Sequence, residues 1–172
     1  VSALPLLAFN EYGGVMEKRK AWIFDVDGTL CNVDSILHYI VDKDRTTEKF
    51  KKDFNKFHAE SVNCAPHKEV VDMVWDVNDW NKGDIIIVTA RKEEWRAHTS
   101  YWLEAVAGIP HTALFMRGNK DGRSDYEVKK DILEHIKLFW EPVHAVDDNP
   151  KIIQLWEENG IPTTKIGTWD GN

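Results

Sequence analysis

Short apolar runs alternate with segments of helical period from Lys20 to near the end of the chain. Ala21–Phe24 is an apolar run that stops at Asp25, the pattern of a buried strand. A largely helical region is expected from about Asp34 to Lys82, interrupted at Asn63–Pro66, with Val70, Val71, Val74 and Val77 at helical spacing. Gly83 ends it, and Asp84–Val88, with three consecutive isoleucines, predicts a second strand. Residues 93–107 read as helix, stopped by Gly108 and Pro110, and Ala113–Met116 as a third strand. Tyr126–Trp140 is an amphipathic helix through Val128, Ile132, Leu133, Ile136 and Phe139. Val143–Val146 is a fourth strand, Pro150–Asn159 a helix and Thr163–Ile166 a last strand. This alternation predicts an α/β fold, a Rossmann-like parallel sheet of about five strands flanked by helices. In such sheets ligands bind beyond the carboxyl ends of the strands.

At 172 residues the chain has the length of one domain. Its 22 basic and 29 acidic residues leave a net charge of −7, which argues against a surface that coats long nucleic acid or anionic membrane. Binding only the end of a strand needs few phosphate contacts and stays open. No run approaches the roughly 18 apolar residues of a membrane span. Two cysteines, Cys31 and Cys64, cannot build a disulfide framework, so a reduced, cytoplasmic setting is expected. Residues 1–17, apolar and then Gly-rich, read as a leader or linker ahead of a folded unit over 18–172. Eight tryptophans are scattered along the chain and are expected to fill helix–sheet contacts.

The predicted strand ends carry the chemistry. The first runs into Asp25-Val-Asp27-Gly28-Thr29-Leu30, the second into Thr89-Ala-Arg91 and the fourth into Asp147-Asp148-Asn149-Pro150, while Lys129 and Lys130 lie early in the helix between the third and fourth. Four carboxylates in one crevice repel: two unit charges ~4 Å apart at an effective dielectric of 20 interact by about 4 kcal/mol. A hard divalent cation resolves this, and Mg²⁺ suits a carboxylate site that keeps several waters. Mg²⁺, one lysine and Arg91 balance the four aspartates, leaving a pocket able to accept a dianionic phosphate. On a strand Asp25 and Asp27 point the same way, so one carboxylate can attack while its neighbour handles protons, and Gly28 lets the chain turn sharply.

Asp25–Leu30, then Thr89, then a lysine, then Asp147-Asp148 resemble the four ordered motifs of the haloacid dehalogenase superfamily of phosphohydrolases, across residues 20–170. The resemblance implies Asp25 as nucleophile and Asp27 as general acid and later base. It implies Thr89 as a phosphoryl-oxygen ligand, a neutralising lysine, and Mg²⁺ held by Asp25, the Asp27 backbone carbonyl and Asp147, with Asp148 assisting through water. Ile87–Arg91, Met116–Lys129 and Val146–Asp148 are similar, more closely, to the 3′-phosphatase domain of phage-type polynucleotide kinase–phosphatases. That family places an aspartate four residues before its lysine; Asp125 and Lys129 match, which selects Lys129 over Lys130. Arg91 matches an arginine of its second motif. The family's arginine shortly after the first motif has only His38 and Arg45 as loose counterparts, and no phosphate-loop motif of a kinase occurs in the chain. The likeness implies a phosphorylated nucleic-acid end or nucleotide as substrate, a kinase or ligase partner, no membrane, and a cytoplasmic setting that for a phage protein is the host's.

The 53 residues between Leu30 and Asp84 must include a return helix of about 15. They leave room for a small helical insert at about 31–65, not for an α/β cap, so the cleft is expected to be open. Within it Lys43–Lys56 carries six basic and three acidic residues with Phe50, Phe54 and Phe57 at helical spacing. It reads either as a strand-binding surface or, preferred, as an amphipathic helix burying its aromatics. The loop 117–125 is expected near the crevice, with Gly28, Arg91, Arg117, Arg123 and Asp125 as candidate substrate-binding positions. Its other reading is a solvated loop. Asp148 or Asn149 also suits a helix cap before Pro150, and Cys31 reads as a small buried hydrophobe. Three functions follow: a Mg²⁺-dependent 3′-phosphatase of nucleic-acid ends, a nucleotidase or small-molecule phosphatase with the same chemistry, or a non-catalytic module that binds phosphorylated ends.

Overall fold

The computed structural model describes residues 17–42 and 50–168. Five parallel strands form one sheet in the order β3-β2-β1-β4-β5, with β1 at Arg19–Phe24, β2 at Asp84–Lys92, β3 at Ala113–Arg117, β4 at Trp140–Asp147 and β5 at Thr163–Lys165. The expected α/β sandwich is present. Strand β1 lies at the centre, Phe24 level with Ile87 of β2 and Val146 of β4. The loops after β1, β2 and β4 therefore leave the sheet side by side.

Successive strand residues face opposite layers. Phe24, Ile85, Ile87 and Val146 pack with Val70, Val74 and Val77 of α2 (Lys68–Asp79) and with Trp102 and Leu103. Ala21, Ile23, Ile86, Val88 and Ala145 pack on the other side with Leu133 and Ile136 of α4 (Asp125–Phe139) and Ile152, Leu155 and Trp156 of α5 (Pro150–Glu158). Each fully buried aliphatic side chain there contributes about 2 kcal/mol. Helix α3 (Arg96–Tyr101) is entered by a 3₁₀ turn at Glu93–Trp95 and leaves through a π turn at Trp102–Val106, so the helical stretch expected over 93–107 is one irregular rod. Helix α4 starts with a capping box: Ser124 accepts from Glu127 N, and Glu127 accepts from Ser124 N. Asn149 caps α5, with Pro150 in its first turn.

The insert departs most from expectation. Asp34–Val41 forms successive turns, closed by Leu37 N to Val33 O and Val41 N to Leu37 O, with a single 3₁₀ turn at Leu37–Tyr39. A stretch this short does not sustain a helix on its own. Of Lys43–Lys56, residues 43–49 lie outside the described residues, as do Arg45 and residues 1–16 of the expected leader. Helix α1 begins only at Phe54, where Asp53 accepts from Lys56 N, and runs to Glu60. Phe57 is buried, but Phe50 and Phe54 are 38% and 50% exposed, so the expectation that this segment buries its aromatics holds for Phe57 alone. The tryptophans meet their expectation in part. Trp102 and Trp156 are fully buried and Trp22 and Trp140 pack against the two cores, whereas Trp80 is 75% exposed and Trp75 41%. Trp140 opens β4 directly after α4 and donates to Asp84 Oδ2 at 2.7 Å, which moves the strand start three residues before Val143. Among the described residues no helix is long and apolar enough to cross a membrane.

Candidate active site

The first loop is built to pack carboxylates closely. Strand β1 ends at Phe24, and the backbone then curls: Asp25 N donates to Val146 O, Cys31 N to Val26 O and Gly28 N to Cys31 O. Gly28 has φ +81°, and a Cβ there would lie 2.1 Å from an oxygen of the Asp148 carboxylate. Only glycine lets the first loop approach the loop after β4 this closely. Asp25 and Asp27 thus stand in a turn, not along a strand, and different cations hold them.

Asp25 Oδ1 accepts from Lys129 Nζ at 2.7 Å, and Oδ2 accepts from the Thr29 hydroxyl at 3.1 Å. Lys129 also donates to Asp147 Oδ2 at 2.8 Å, and Thr29 reaches Asp148 Oδ1 at 3.3 Å. Asp25, Asp147 and Lys129 are all buried. One carboxylate oxygen from each of Asp25, Asp147 and Asp148 falls within 4.8 Å of the others. Burial, reinforced by the charges of Asp147 and Asp148, pushes the Asp25 carboxyl well above its ordinary value despite Lys129. Burial and the Asp147 charge push Asp148 up to about 7. Burial opposes the Lys129 charge, yet Asp147 and Asp25 together hold its proton more firmly than usual. Three carboxylates thus share one ammonium, and the cluster is short of positive charge. Oxygen donors this close, buried and under-neutralised fit a hard divalent cation such as Mg²⁺.

Asp27 sits beside this cluster in a different field. Arg91 grips it with Nε 2.9 Å from Oδ2 and Nη2 2.5 Å from Oδ1, and its Nη1 donates to Thr99 Oγ1 at 3.2 Å. Burial alone would raise the Asp27 carboxyl, but the charge and hydrogen bonds of Arg91 override it and hold the group below its ordinary value. The Asp27 carboxylate is not among the grouped metal-type donors. Thr89 is buried within β2, which continues past the expected end at Val88 to Lys92, and its hydroxyl accepts from Arg91 N at 3.3 Å.

The loop after β3 forms a separate network. Buried Arg117 donates to the carbonyls of Ala90, Asp121 and Arg123 and to Asp125 Oδ1. Arg123 pairs with Asp121 at 2.8 Å and with Asp131 at 2.7 Å. The structure therefore brings Asp25, Asp147, Asp148 and Lys129 together, sets Asp27 and Arg91 alongside, and engages Arg117, Arg123 and Asp125 with one another and with nearby groups. Asn149, not Asp148, caps α5. Cys31 is buried, its thiol pushed up by burial, and it approaches the Ser61 carbonyl at 4.0 Å. His38 is exposed.

Two contributors are given no role by the motif pattern. Thr29 stands inside the first motif without an assigned part, yet its hydroxyl bridges two of the carboxylates. His58, from the insert, lies within electrostatic reach of Asp27 and Arg91, and burial pulls it down to about 4. Its only sequence signal was the neighbouring Phe54 and Phe57.

A parallel sheet in this order, with carboxylates from the first and fourth strand ends around a lysine from the preceding helix, defines a haloacid-dehalogenase-type phosphohydrolase. Over residues 19–170 the chain matches the family described as the polynucleotide kinase PNKP phosphatase domain, and it belongs to that family. Solved structures give the same fold. A chain of a Pnkp1/Rnl/Hen1 complex aligns over 95% of this chain and 53% of its own length, at 22% identity and a TM-score of 0.69. A class C acid phosphatase from Bacillus anthracis with tungstate bound aligns over 79% and 54%, at 18% identity and a TM-score of 0.61. A hydrolase from Streptococcus pneumoniae TIGR4 aligns over 88% and 95%, at 15% identity and a TM-score of 0.54. The chain thus spans about half the length of the chain it resembles in that complex.

Proposed function

We propose that the protein is a Mg²⁺-dependent phosphomonoesterase that removes 3′-phosphates from nucleic-acid ends through an aspartyl-phosphate on Asp25. The supporting observation is the grouping of Asp25, Asp147 and Asp148 donor oxygens within 4.8 Å, with Lys129 between two of them. Asp25, Asp147, Asp148 and the Asp27 carbonyl would hold Mg²⁺, which would supply positive charge that lets a phosphate dianion enter a field of carboxylates.

Asp25 attacks phosphorus, the bond from phosphorus to the ester oxygen breaks, and the leaving 3′ oxygen takes a proton from Asp27. A water then attacks the phosphoryl-aspartate, giving its proton to Asp27, and inorganic phosphate leaves with Asp25 regenerated. Lys129 holds Asp25 in place and offsets the incoming charge, while Thr89 and the backbone amides around Gly28 receive phosphoryl oxygens. Arg91 keeps Asp27 ionised in the resting site; a dianionic phosphate beside the pair raises its proton affinity, so Asp27 takes up a proton from solvent as substrate binds and gives that proton to the leaving oxygen. Arg117, Arg123 and Asp125 shape the loop that follows β3, at the side from which a strand enters. By analogy with the Pnkp1/Rnl/Hen1 complexes, a kinase- or ligase-type protein is the proposed partner.

Turnover of p-nitrophenyl phosphate, free 3′-mononucleotides and a 3′-phosphorylated oligonucleotide is compared with Mg²⁺ and with chelator. The proposal expects Mg²⁺-dependent release from all three, with kcat/KM highest on the oligonucleotide and activity abolished in Asp25→Asn. Preference for the mononucleotide would make the protein a nucleotidase, and a wild-type protein as inert as Asp25→Asn would make it a binding module.

A further inference from the structure

Next to Asp27 stands a group of aromatic rings that the phosphatase chemistry does not use. Phe54 and His58 of α1 are near parallel, with centroids 6.2 Å apart and planes at 28°. His58 lies 5.5 Å from Trp95, which lies 5.0 Å from His98, and buried Phe57 packs edge-on beneath His58 at 5.2 Å. The group is anchored to the site from both ends. Trp95 O accepts from Thr99 Oγ1, which itself accepts from the Arg91 guanidinium that holds Asp27. His58 O accepts from Ser61 Oγ, and Ser61 O meets the thiol of Cys31, the residue that closes the Asp25 loop.

Phe54 is half exposed and Trp95 and His98 are not buried, so ring surface remains open to solvent. A cavity of about 490 Å³ lies against Lys51, Lys52, Asp53, Phe54 and Asn55. Exposed Lys92, just past Arg91, adds a cation within electrostatic reach of His58. Flat rings with lysines along their margin match one ligand chemistry well: stacked bases whose linking phosphates need cations.

We propose that Phe54, His58 and Trp95 form a stacking platform for the terminal bases of the phosphorylated strand, with Lys51, Lys52 and Lys92 beside its backbone. The proposal rests on the nucleic-acid reading of the site. Base stacking tolerates any sequence, so the platform confers preference for a polymer end over a bare phosphate ester without base discrimination.

Two 3′-phosphorylated oligonucleotides test it, one complete and one whose terminal nucleotides are abasic, with p-nitrophenyl phosphate as the reference. The wild-type protein is expected to show a KM about tenfold lower on the complete strand than on the abasic one. That advantage shrinks to near parity in Phe54→Ala and Trp95→Ala and returns in Phe54→Tyr, which keeps a ring. Phe54 is half exposed, so its truncation leaves the fold intact, and melting curves check this. Equal KM on both strands in the wild-type protein, or an undiminished advantage in both alanine variants, overturns the platform while leaving the 3′-phosphatase reading intact. Hydrolysis of p-nitrophenyl phosphate with neither strand accepted overturns both.

Discussion

Lys129 carries the largest electrostatic responsibility of any single side chain in the site. It is buried between Asp25 and Asp147, and among the described residues no other cation forms an ion pair with either carboxylate. Removing its charge leaves two buried carboxylates facing each other, a change that typically costs about 3–5 kcal/mol. Lys129→Met is therefore expected to lower stability by several kcal/mol in denaturant unfolding without metal, to recover part of it when Mg²⁺ is added, and to lose more than 100-fold in kcat. Unaltered stability without metal would mean that the carboxylates are already protonated and Lys129 holds nothing. Arg91 does the equivalent for Asp27, which explains why a site with four aspartates needs two cations of its own before any metal arrives.

The elements deliver these groups to one place. Parallel β1, β2 and β4 end together, and α4 starts from a capping box that sets where its fifth residue, Lys129, projects. Ser124→Ala removes half of that box and should cost about 1 kcal/mol in unfolding free energy, with a smaller loss of activity than any substitution in the cluster. A fall of 3 kcal/mol or more would show that the cap also holds the loop of Arg117. Element order and the residues at the strand ends were legible in the chain because the buried centres of parallel strands are apolar and each apolar run stops at a charge: Phe24 before Asp25, Val146 before Asp147. The insert was not, since Phe50, Phe54 and Phe57 at helical spacing look alike whether they face a core or solvent. Thr29 and the grip of Arg91 on Asp27 were also hidden, because each depends on a contact between segments far apart in sequence.

As a whole, the molecule stores a deficit of positive charge in its core, and this makes its stability depend on pH and metal. Asp25 and Asp148 bind a proton more tightly folded than unfolded, Asp148 with its value raised to about 7. The stability they contribute is complete below the unfolded carboxylate pKa of about 4 and falls as pH rises, that of Asp148 being lost through about 7. Melting temperature without metal is expected to fall between about pH 5 and pH 8. Mg²⁺ binds the ionised cluster, so its stabilising effect should be larger at the upper pH. Asp148→Asn should flatten the profile. A melting temperature indifferent to Mg²⁺ across this range would separate the acidic cluster from any cation. The cluster lies at the carboxyl end of the parallel sheet, the end at which such sheets bind ligands.

The covalent step is open to direct observation. In Asp27→Asn the group proposed to activate water is gone, while p-nitrophenolate leaves without needing a proton. Mixing this variant with p-nitrophenyl phosphate and Mg²⁺, quenching in acid and sequencing the peptides by mass spectrometry should find one phosphoryl group on Asp25, matched by a burst of one nitrophenolate per active site. Slow turnover with no burst and no phosphoryl group on Asp25, in a preparation whose wild-type protein is active, would contradict the nucleophilic role of Asp25.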